Sequence, residues 1–183
     1  MFTSDPILSV QQDNLYRYEI SASDPDSGDL LHFSTSVKPD WLTLTDNNDN
    51  SATLSGIPSN SDIGNHLVTL IVLDPEGLSD QQSFTIEVDN TNDPPEAYSQ
   101  SIDVAYETAT AITLQGYDPD GDELEFSIID IPQNGILSGA APNVTYTPST
   151  GYSGSDSFSF RVYDGQFLSD ITQITITVGE NPL

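Results

Sequence analysis

The chain repeats an acidic turn together with the segments around it, and this repeat limits the possible folds more than any other feature. Asp24-Pro25-Asp26-Ser27-Gly28-Asp29-Leu30 returns as Asp118-Pro119-Asp120-Gly121-Asp122-Glu123-Leu124. Val72-Leu73-Asp74 returns as Val162-Tyr163-Asp164, so the period is about 90 residues. A seven-stranded β-sandwich needs about 100 residues. The 183 residues are therefore predicted to form two copies of one unit, 1–93 and 94–183.

Each unit is predicted to be all-β. Phe84-Thr85-Ile86-Glu87-Val88 and Ile174-Thr175-Ile176-Thr177-Val178 alternate apolar and polar side chains, as a half-buried strand requires. The segment Leu67–Val72 is apolar enough for a central strand, and no stretch of the sequence has helical periodicity. Pro94 and Pro95 end the first unit and stiffen the connection. We expect two tandem Greek-key antiparallel β-sandwiches.

The net charge excludes some partners and favours another. Asp and Glu number 29 against 3 Lys and Arg, which gives a net charge of −26. A surface of this sign repels nucleic acid and anionic lipid, so neither is expected as a partner. The same charge opposes folding through self-repulsion, and bound divalent cations offset it at fixed points.

The sequence also indicates a compartment. Cysteine is absent, which rules out a disulfide framework, a thiolate metal site and a Cys nucleophile and favours a bacterial or a cytosolic product. No apolar run is long enough to insert into a membrane, and no export signal precedes the polar start Phe2-Thr3-Ser4. We expect a fragment of a longer bacterial surface protein, itself membrane-associated.

The acidic turns are typical of calcium ligands. In Asp-Pro-Asp-Gly-Asp the proline fixes one φ and the glycine permits a tight reversal, so several carboxylates can converge. Calcium prefers six to eight oxygen ligands. Asp, Pro and Gly also form ordinary turns, but the recurrence beside the acidic linker that ends at Asp93 favours metal. The spacing is not that of an EF-hand, because glycine stands at the fourth position.

Longer motifs resemble known families. The first unit resembles a bacterial cadherin-like domain of the dystroglycan type, through Ser21-Ala22-Ser23-Asp24-Pro25-Asp26, Pro39-Asp40-Trp41-Leu42, Leu54-Ser55-Gly56-Ile57-Pro58 and Asp62-Ile63-Gly64. The second is similar to immunoglobulin-like repeats of large bacterial adhesins, through Asn134-Gly135-Ile136-Leu137, Tyr146-Thr147-Pro148 and Gly151-Tyr152-Ser153-Gly154-Ser155-Asp156-Ser157-Phe158. The linker followed by Asp118-Pro119-Asp120 resembles the interdomain calcium site of cadherins.

The resemblance implies calcium as the cofactor and assigns its ligands. The interdomain set is Asp13, Asp62, Asn90, Asn92, Asp93, Asp118, Asp120 and Asp164. Asn90 stands where cadherins usually carry Asp, and Asp13 where they carry Glu, so fewer ions or looser binding are expected. By the same resemblance a partial site that would face a preceding domain consists of Asp24, Asp26, Asp74 and Glu76.

The function that follows is that of an extracellular adhesion or extender module on the bacterial cell surface, rigidified by calcium where the domains meet. Its expected partners are neighbouring domains of the same chain, with polysaccharide or another adhesin copy as further candidates. A polysaccharide-binding module of an adhesin or a secreted polysaccharidase is the alternative. Its candidate contacts are Tyr106, Tyr117, Tyr163 and the loop 46–50, but the tyrosines are equally consistent with packing near the domain junction and the loop with a solvated hairpin tip. Trp41 is predicted to pack in the core. An enzyme is not expected, because the carboxylates lie in turns and no nucleophile, P-loop or zinc motif occurs.

Overall fold

The computed structural model describes residues 1–26 and 28–182, so Ser27 of the first acidic turn and Leu183 lie outside the described residues. The chain separates into two compact units, Met1–Thr91 and Asn92–Leu183. The division falls two residues before the predicted boundary, because Asn92 and Asp93 belong to the second unit.

Unit 1 has seven strands in two sheets. Strands β1, β7, β6 and β3 form a four-stranded sheet in that order, and β2, β5 and β4 form a three-stranded sheet. A single turn of 3-10 helix, Asn60–Asp62, precedes β6. The strands are β1 Ser9–Gln11, β2 Tyr16–Ser21, β3 His32–Val37, β4 Leu42–Asp46, β5 Ser51–Gly56, β6 Gly64–Leu73 and β7 Ser79–Asp89.

The core of unit 1 is built from the alternating side of each strand. Tyr16, Tyr18 and Ile20 of β2 are buried, and Arg17 and Glu19 between them are exposed. The Tyr18 and Phe84 rings meet edge to face with centroids 5.9 Å apart. Trp41 packs against this core and contacts the Tyr16 ring edge to face at 5.9 Å. The inner faces of the two sheets thus enclose one apolar layer, which is the arrangement of a β-sandwich.

Unit 2 has the same arrangement of a four-stranded and a three-stranded sheet, with one additional pair of short strands. Strands β12, β15, β16 and β9 form a four-stranded sheet in that order, β10, β14 and β13 form a three-stranded sheet, and β11 pairs with β8. The strands are β8 Glu96–Tyr98, β9 Gln100–Val104, β10 Thr110–Thr113, β11 Gln115–Tyr117, β12 Glu125–Asp130, β13 Gly135–Ala140, β14 Asn143–Pro148, β15 Gly154–Tyr163 and β16 Thr172–Val178.

A buried carboxylate organises one end of unit 2. Asp156 is 8% exposed and accepts hydrogen bonds from the backbone N–H groups of Gln133 and Asn134 at 3.0 and 2.9 Å. The Tyr146 hydroxyl donates to the same carboxylate at 2.9 Å, and its ring lies over Gly135. A Cβ at Gly135 would lie 2.3 Å from that ring, so only glycine fits there. The Asn134-Gly135 sequence is therefore explained by packing.

The predicted all-β class is confirmed, and β6 lies between β7 and β3 as a central strand. Two pairings depart from a purely antiparallel arrangement. β1 runs parallel to β7, and β9 runs parallel to β16. In unit 1 the first strand, β1, lies along the last strand, and in unit 2 the second strand, β9, does so. The last strand otherwise would present an open sheet edge.

Within residues 1–26 and 28–182, no helix has both the length and the apolar character needed to span a membrane.

Candidate metal centre

The acidic turn of unit 2 is held by its first carboxylate. Asp118 follows β11, and its Oδ1 accepts hydrogen bonds from the backbone N–H of Asp120 at 2.9 Å and of Asp122 at 3.1 Å. The N–H of Gly121 donates to the Asp118 carbonyl at 3.2 Å, and Gly121 has φ +81°. A left-handed backbone at this position favours glycine, so Gly121 allows the chain to form a tight turn here. The turn places Asp118 and Asp120 beside the start of the unit.

Two linker residues bind to acidic side chains within unit 2, one in this turn and one in the hairpin after β15. The backbone N–H of Asp93 donates to Oδ2 of Asp120 at 2.6 Å. The side-chain amide of Asn92 donates to Oδ2 of Asp164 at 2.9 Å. Asp164 comes from the hairpin after β15, so the structure brings together five of the predicted ligands: Asn92, Asp93, Asp118, Asp120 and Asp164.

One oxygen of this group is buried without a hydrogen-bond donor. Asp118 is 4% exposed, and its Oδ2 has no hydrogen-bond partner among the residues that the structure describes. A buried carboxylate oxygen left in this state costs about 1–3 kcal/mol, and such atoms in folded proteins call for an explanation. A bound cation supplies one, because it would contact the oxygen directly. The donor set therefore fits a hard divalent metal.

The neighbouring carboxylate is held in its ionised form. Burial raises the pKa of Asp164, but hydrogen bonds from the backbone N–H groups of Phe167 and Gln166 and from the Asn92 amide outweigh it, so the pKa lies below its usual value. Both N–H groups donate to Oδ1, at 2.5 and 2.6 Å. Metal ligands must be deprotonated, so this carboxylate is prepared for a cation.

The predicted ligands of unit 1 lie in three segments of that unit. Asp13 is exposed in the turn after β1 with φ +60°, and its N–H donates to the Pro58 carbonyl at 2.8 Å. Asp62 ends the 3-10 turn, where hydrogen bonds from the Ser59 hydroxyl and N–H lower its pKa. Asn90 is exposed just after β7. Their part in the interdomain set stays a prediction.

The predicted partial site of unit 1 also forms an acidic group. Oxygens of Asp24, Asp26 and Asp29 lie within 4.8 Å of one another, the one such group of three among the described residues. The carboxylate of Asp29 raises the pKa of Glu76, with smaller contributions from Asp74 and Asp26. These three residues are the acidic side chains of the first repeated turn, and the cadherin resemblance assigned Asp29 no ligand role.

The acidic groups of the two units differ in how close together their carboxylate oxygens lie. Among the described residues, three acidic side chains with oxygens within 4.8 Å of one another occur in unit 1 and not in unit 2. In unit 1, Asp24 and Asp74 line a small cavity of about 150 Å³ together with Leu31, Leu78, Asp80 and Met1.

A buried amide was missed by the sequence analysis. Gln12 is 2% exposed, its N–H donates to the Asp89 carbonyl at 3.0 Å, and its Oε1 accepts from the Thr91 N–H at 3.5 Å. Gln12 therefore holds the end of β7 against the turn that carries Asp13. A glutamine in a polar turn gives no sequence signal for burial, because its contacts are made with residues far along the chain.

Two family models match the chain. Residues 92–177 match the model described as "Bacterial Ig domain", and residues 1–89 match the model described as "Putative Ig domain". None of the curated proteins matches the chain.

Solved structures show the same fold in cadherins. The EC1-2 fragment of human protocadherin-24 is 17% identical over 99% of this chain and 98% of its own, with a TM-score of 0.58. Extracellular cadherin domains 1–5 of protocadherin gamma B2 are 17% identical over 100% of this chain and 40% of their own, with a TM-score of 0.62.

An endo-fucoidan hydrolase from glycoside hydrolase family 107 is 26% identical over 99% of this chain and 29% of its own, with a TM-score of 0.46. This chain spans no more than 33% of the length of the fucoidan hydrolases that it matches.

Proposed function

We propose that this chain, a tandem pair of bacterial cadherin- and immunoglobulin-like domains, is a calcium-binding extender or adhesion segment of a secreted or surface-exposed bacterial protein. The observation that carries the proposal is Oδ2 of Asp118, which is buried and has no hydrogen-bond partner among the described residues. It lies in the turn to which Asp93 is bound through Asp120, and the adjacent linker residue Asn92 is bound to Asp164 in the hairpin after β15.

The chemistry of the donor set favours calcium. Its ligand atoms are carboxylate and amide oxygens, and neither cysteine nor histidine belongs to the set. Calcium accepts six to eight oxygens in adaptable geometry, whereas zinc prefers nitrogen and sulfur. Extracellular calcium modules have dissociation constants of roughly 10⁻⁴–10⁻³ M, which suits a protein outside the cell.

Each residue has a definite task in this proposal. Asp118, Asp120 and Asp164 would supply carboxylate oxygens, and Asn92 and Asp93 would supply oxygens from the linker. The hydrogen bonds that Asp118 Oδ1 accepts from its own turn hold the carboxylate in place, so that Oδ2 remains for the ion. When bound, calcium offsets the negative charge of the group and fixes the linker against unit 2. Asp13, Asp62 and Asn90 are the further ligands predicted from the cadherin resemblance.

Calorimetric titration of calcium into the chelator-treated 183-residue chain tests the proposal. We expect a binding heat with a dissociation constant of roughly 10⁻⁴–10⁻³ M, and a loss of the heat assigned to unit 2 in Asp118→Asn. The matched control is Asp122→Asn, because Asp122 lies in the same turn and carries the same charge but is exposed. Equal binding by wild type and Asp118→Asn would contradict the assignment, and absence of any heat would contradict calcium binding itself.

A further inference from the structure

Unit 2 has a second concave feature on the outer face of its four-stranded sheet. A depression of about 1150 Å³ opens where β12 separates from β15. The two strands pair from Glu125↔Tyr163 to Asp130↔Ser159, with a register shift between Ile128 and Asp130. β15 continues from Ser159 back to Gly154 without β12 beside it, and residues 131–134 cross toward β13. This divergence produces the depression.

The floor of the depression is an ordered set of polar side chains. Across the strands, Ser159 is opposite both Asp130 and Gln173, and Ser157 is opposite Thr175. The Ser159 hydroxyl donates to Oδ2 of Asp130 at 2.6 Å and is only 7% exposed. The amide of Gln173 donates to the Ser157 hydroxyl at 3.1 Å. A carboxylate, hydroxyls and an amide are thus held about 5 Å apart in rows, the spacing of paired residues on neighbouring strands.

The sheet edge in the depression does not favour an added peptide strand. The N–H of Ser157 already donates to Oδ1 of Asp156 at 2.9 Å, and the carbonyl of Ser155 accepts from the Tyr152 hydroxyl at 2.5 Å. Strand addition depends on edge N–H and C=O groups that lack partners. Recognition here would therefore be made by side chains.

The apolar residues that line the depression and the net charge of the chain indicate which kind of ligand it would bind. Ile129 and Ile131, which line one side, are 39% and 75% exposed. The net charge of −26 disfavours an anionic ligand. An uncharged sugar ring presents hydroxyls that pair with carboxylate, amide and hydroxyl groups, and C–H faces that contact isoleucine. We propose that this depression binds a neutral polysaccharide, with Asp130, Gln173 and Thr175 as its polar contacts.

The site is expected to bind weakly. The aromatic residue of its lining, Phe158, is 1% exposed and faces the core, so the described part of the depression offers no ring on which a sugar could stack. Affinity on the order of 1 mM per site is expected from hydrogen bonds and limited apolar contact. Such a value serves a protein that carries many copies of a domain, because multivalency multiplies weak contacts.

Affinity electrophoresis of the whole chain tests the proposal directly. The protein migrates through native gels that contain soluble neutral glucan, mannan, galactan or xylan, with alginate as the acidic comparison. We expect at least one neutral polysaccharide to slow the wild type and alginate to have no effect. In the variant Gln173→Ala/Thr175→Ala the apparent affinity should fall roughly tenfold, as loss of hydrogen bonds to a ligand implies.

The control variant is Thr85→Ala, which changes the exposed threonine on the last strand of unit 1, the counterpart of Thr175. It should be slowed like the wild type. The proposal would be overturned if no neutral polysaccharide slows the chain, or if the double variant is slowed as much as the wild type. It would also be overturned if alginate slows the chain more than the neutral polysaccharides do.

The same gels with EGTA separate this proposal from calcium binding. The proposed sugar contacts lie opposite Ser157 and Ser159 of β15, and Asp164 follows the end of that strand, so the depression and Asp164 are roughly 16–23 Å apart along the strand. Slowing should therefore persist in EGTA. Slowing that disappears with EGTA would place the sugar at the metal centre and overturn the assignment to the depression, whatever calorimetry shows for calcium.

Discussion

Asp156 and Asp118 are both buried carboxylates of unit 2, and they differ in the contacts of their oxygens. Asp156 accepts three backbone N–H groups and the Tyr146 hydroxyl, which together use both oxygens. Asp118 accepts two backbone N–H groups on Oδ1, and its Oδ2 has no partner within the described residues. The first arrangement is complete without a ligand. The second is not, and for that reason we assign it to metal.

The stability contributed by Asp156 should depend on pH. Burial raises the pKa of Asp156, but hydrogen bonds from Ser157, Asn134 and Gln133 outweigh it and leave the pKa below its usual value. A lowered folded-state pKa means that the contribution is fully present above the unfolded-state pKa of about 3.9 and is lost as the pH falls through the folded-state value. Asp156→Asn should therefore destabilise unit 2 by roughly 2–4 kcal/mol at pH 7, and by less below pH 4.

Scanning calorimetry across this pH range measures the difference, with Asp103→Asn as the control because Asp103 is exposed on the same sheet. Fluorescence of Trp41, the one tryptophan of the chain, reports unit 1 and should not change. A difference between wild type and Asp156→Asn that stays constant from pH 7 to pH 3 would show that the ionised form contributes nothing.

Strand β13 and its partner β14 provide a test at the scale of an element. Gly135 pairs with Pro148, and the Tyr146 ring occupies the space that a side chain at residue 135 would need. Gly135→Ala should destabilise unit 2 by about 1–3 kcal/mol, because the ring must shift and its hydroxyl bond to Asp156 weakens.

The control is Gly179→Ala. A Cβ at Gly179 would meet its nearest atoms at 3.7 and 3.9 Å, which is ordinary contact. Calorimetric unfolding of unit 2 compares the two variants. Equal stabilities of the two variants would mean that the Tyr146 ring can move away from residue 135, and that the close contact does not affect the free energy of unfolding.

Strands were predictable from sequence where their pattern is local. Phe84–Val88 and Ile174–Val178 alternate because one face is buried, and they lie in β7 and β16 as expected. The parallel pairing of β1 with β7 could not be predicted, since it joins segments at opposite ends of the unit. The separation of β12 from β15 depends on a register shift that no residue pattern marks.

The candidate site was predictable only in part. Its residue types and the repeated turn identified Asp118 and Asp120, because proline, glycine and aspartate act over a few residues. Asp164 was predicted only from the resemblance to cadherins. The missing partner of Asp118 Oδ2 and the burial of Gln12 depend on chain segments that meet only after folding. The unpartnered oxygen of Asp118 indicates which carboxylate needs a cation. The sequence pattern alone could not distinguish Asp118 from the other acidic residues of the turn.

At the scale of the whole molecule, charge is the main constraint on stability. A net charge of −26 over 183 residues opposes the compact state, and the acidic groups lie at turns of both units. Calcium binding at the Asp118 turn would relieve part of this repulsion. In calcium at ten times the dissociation constant, one site stabilises its unit by about 1.4 kcal/mol.

Thermal unfolding of the wild type and of Asp118→Asn, each in EGTA and in calcium, is the most direct test of the metal centre. Calcium should raise the unfolding temperature of wild-type unit 2 by roughly 5–10 °C and leave Asp118→Asn unchanged. In EGTA the variant should be at least as stable as the wild type, because it loses a buried, repelled charge and keeps Oδ1 for the turn. An equal calcium shift in both proteins, or none in the wild type, would contradict the account.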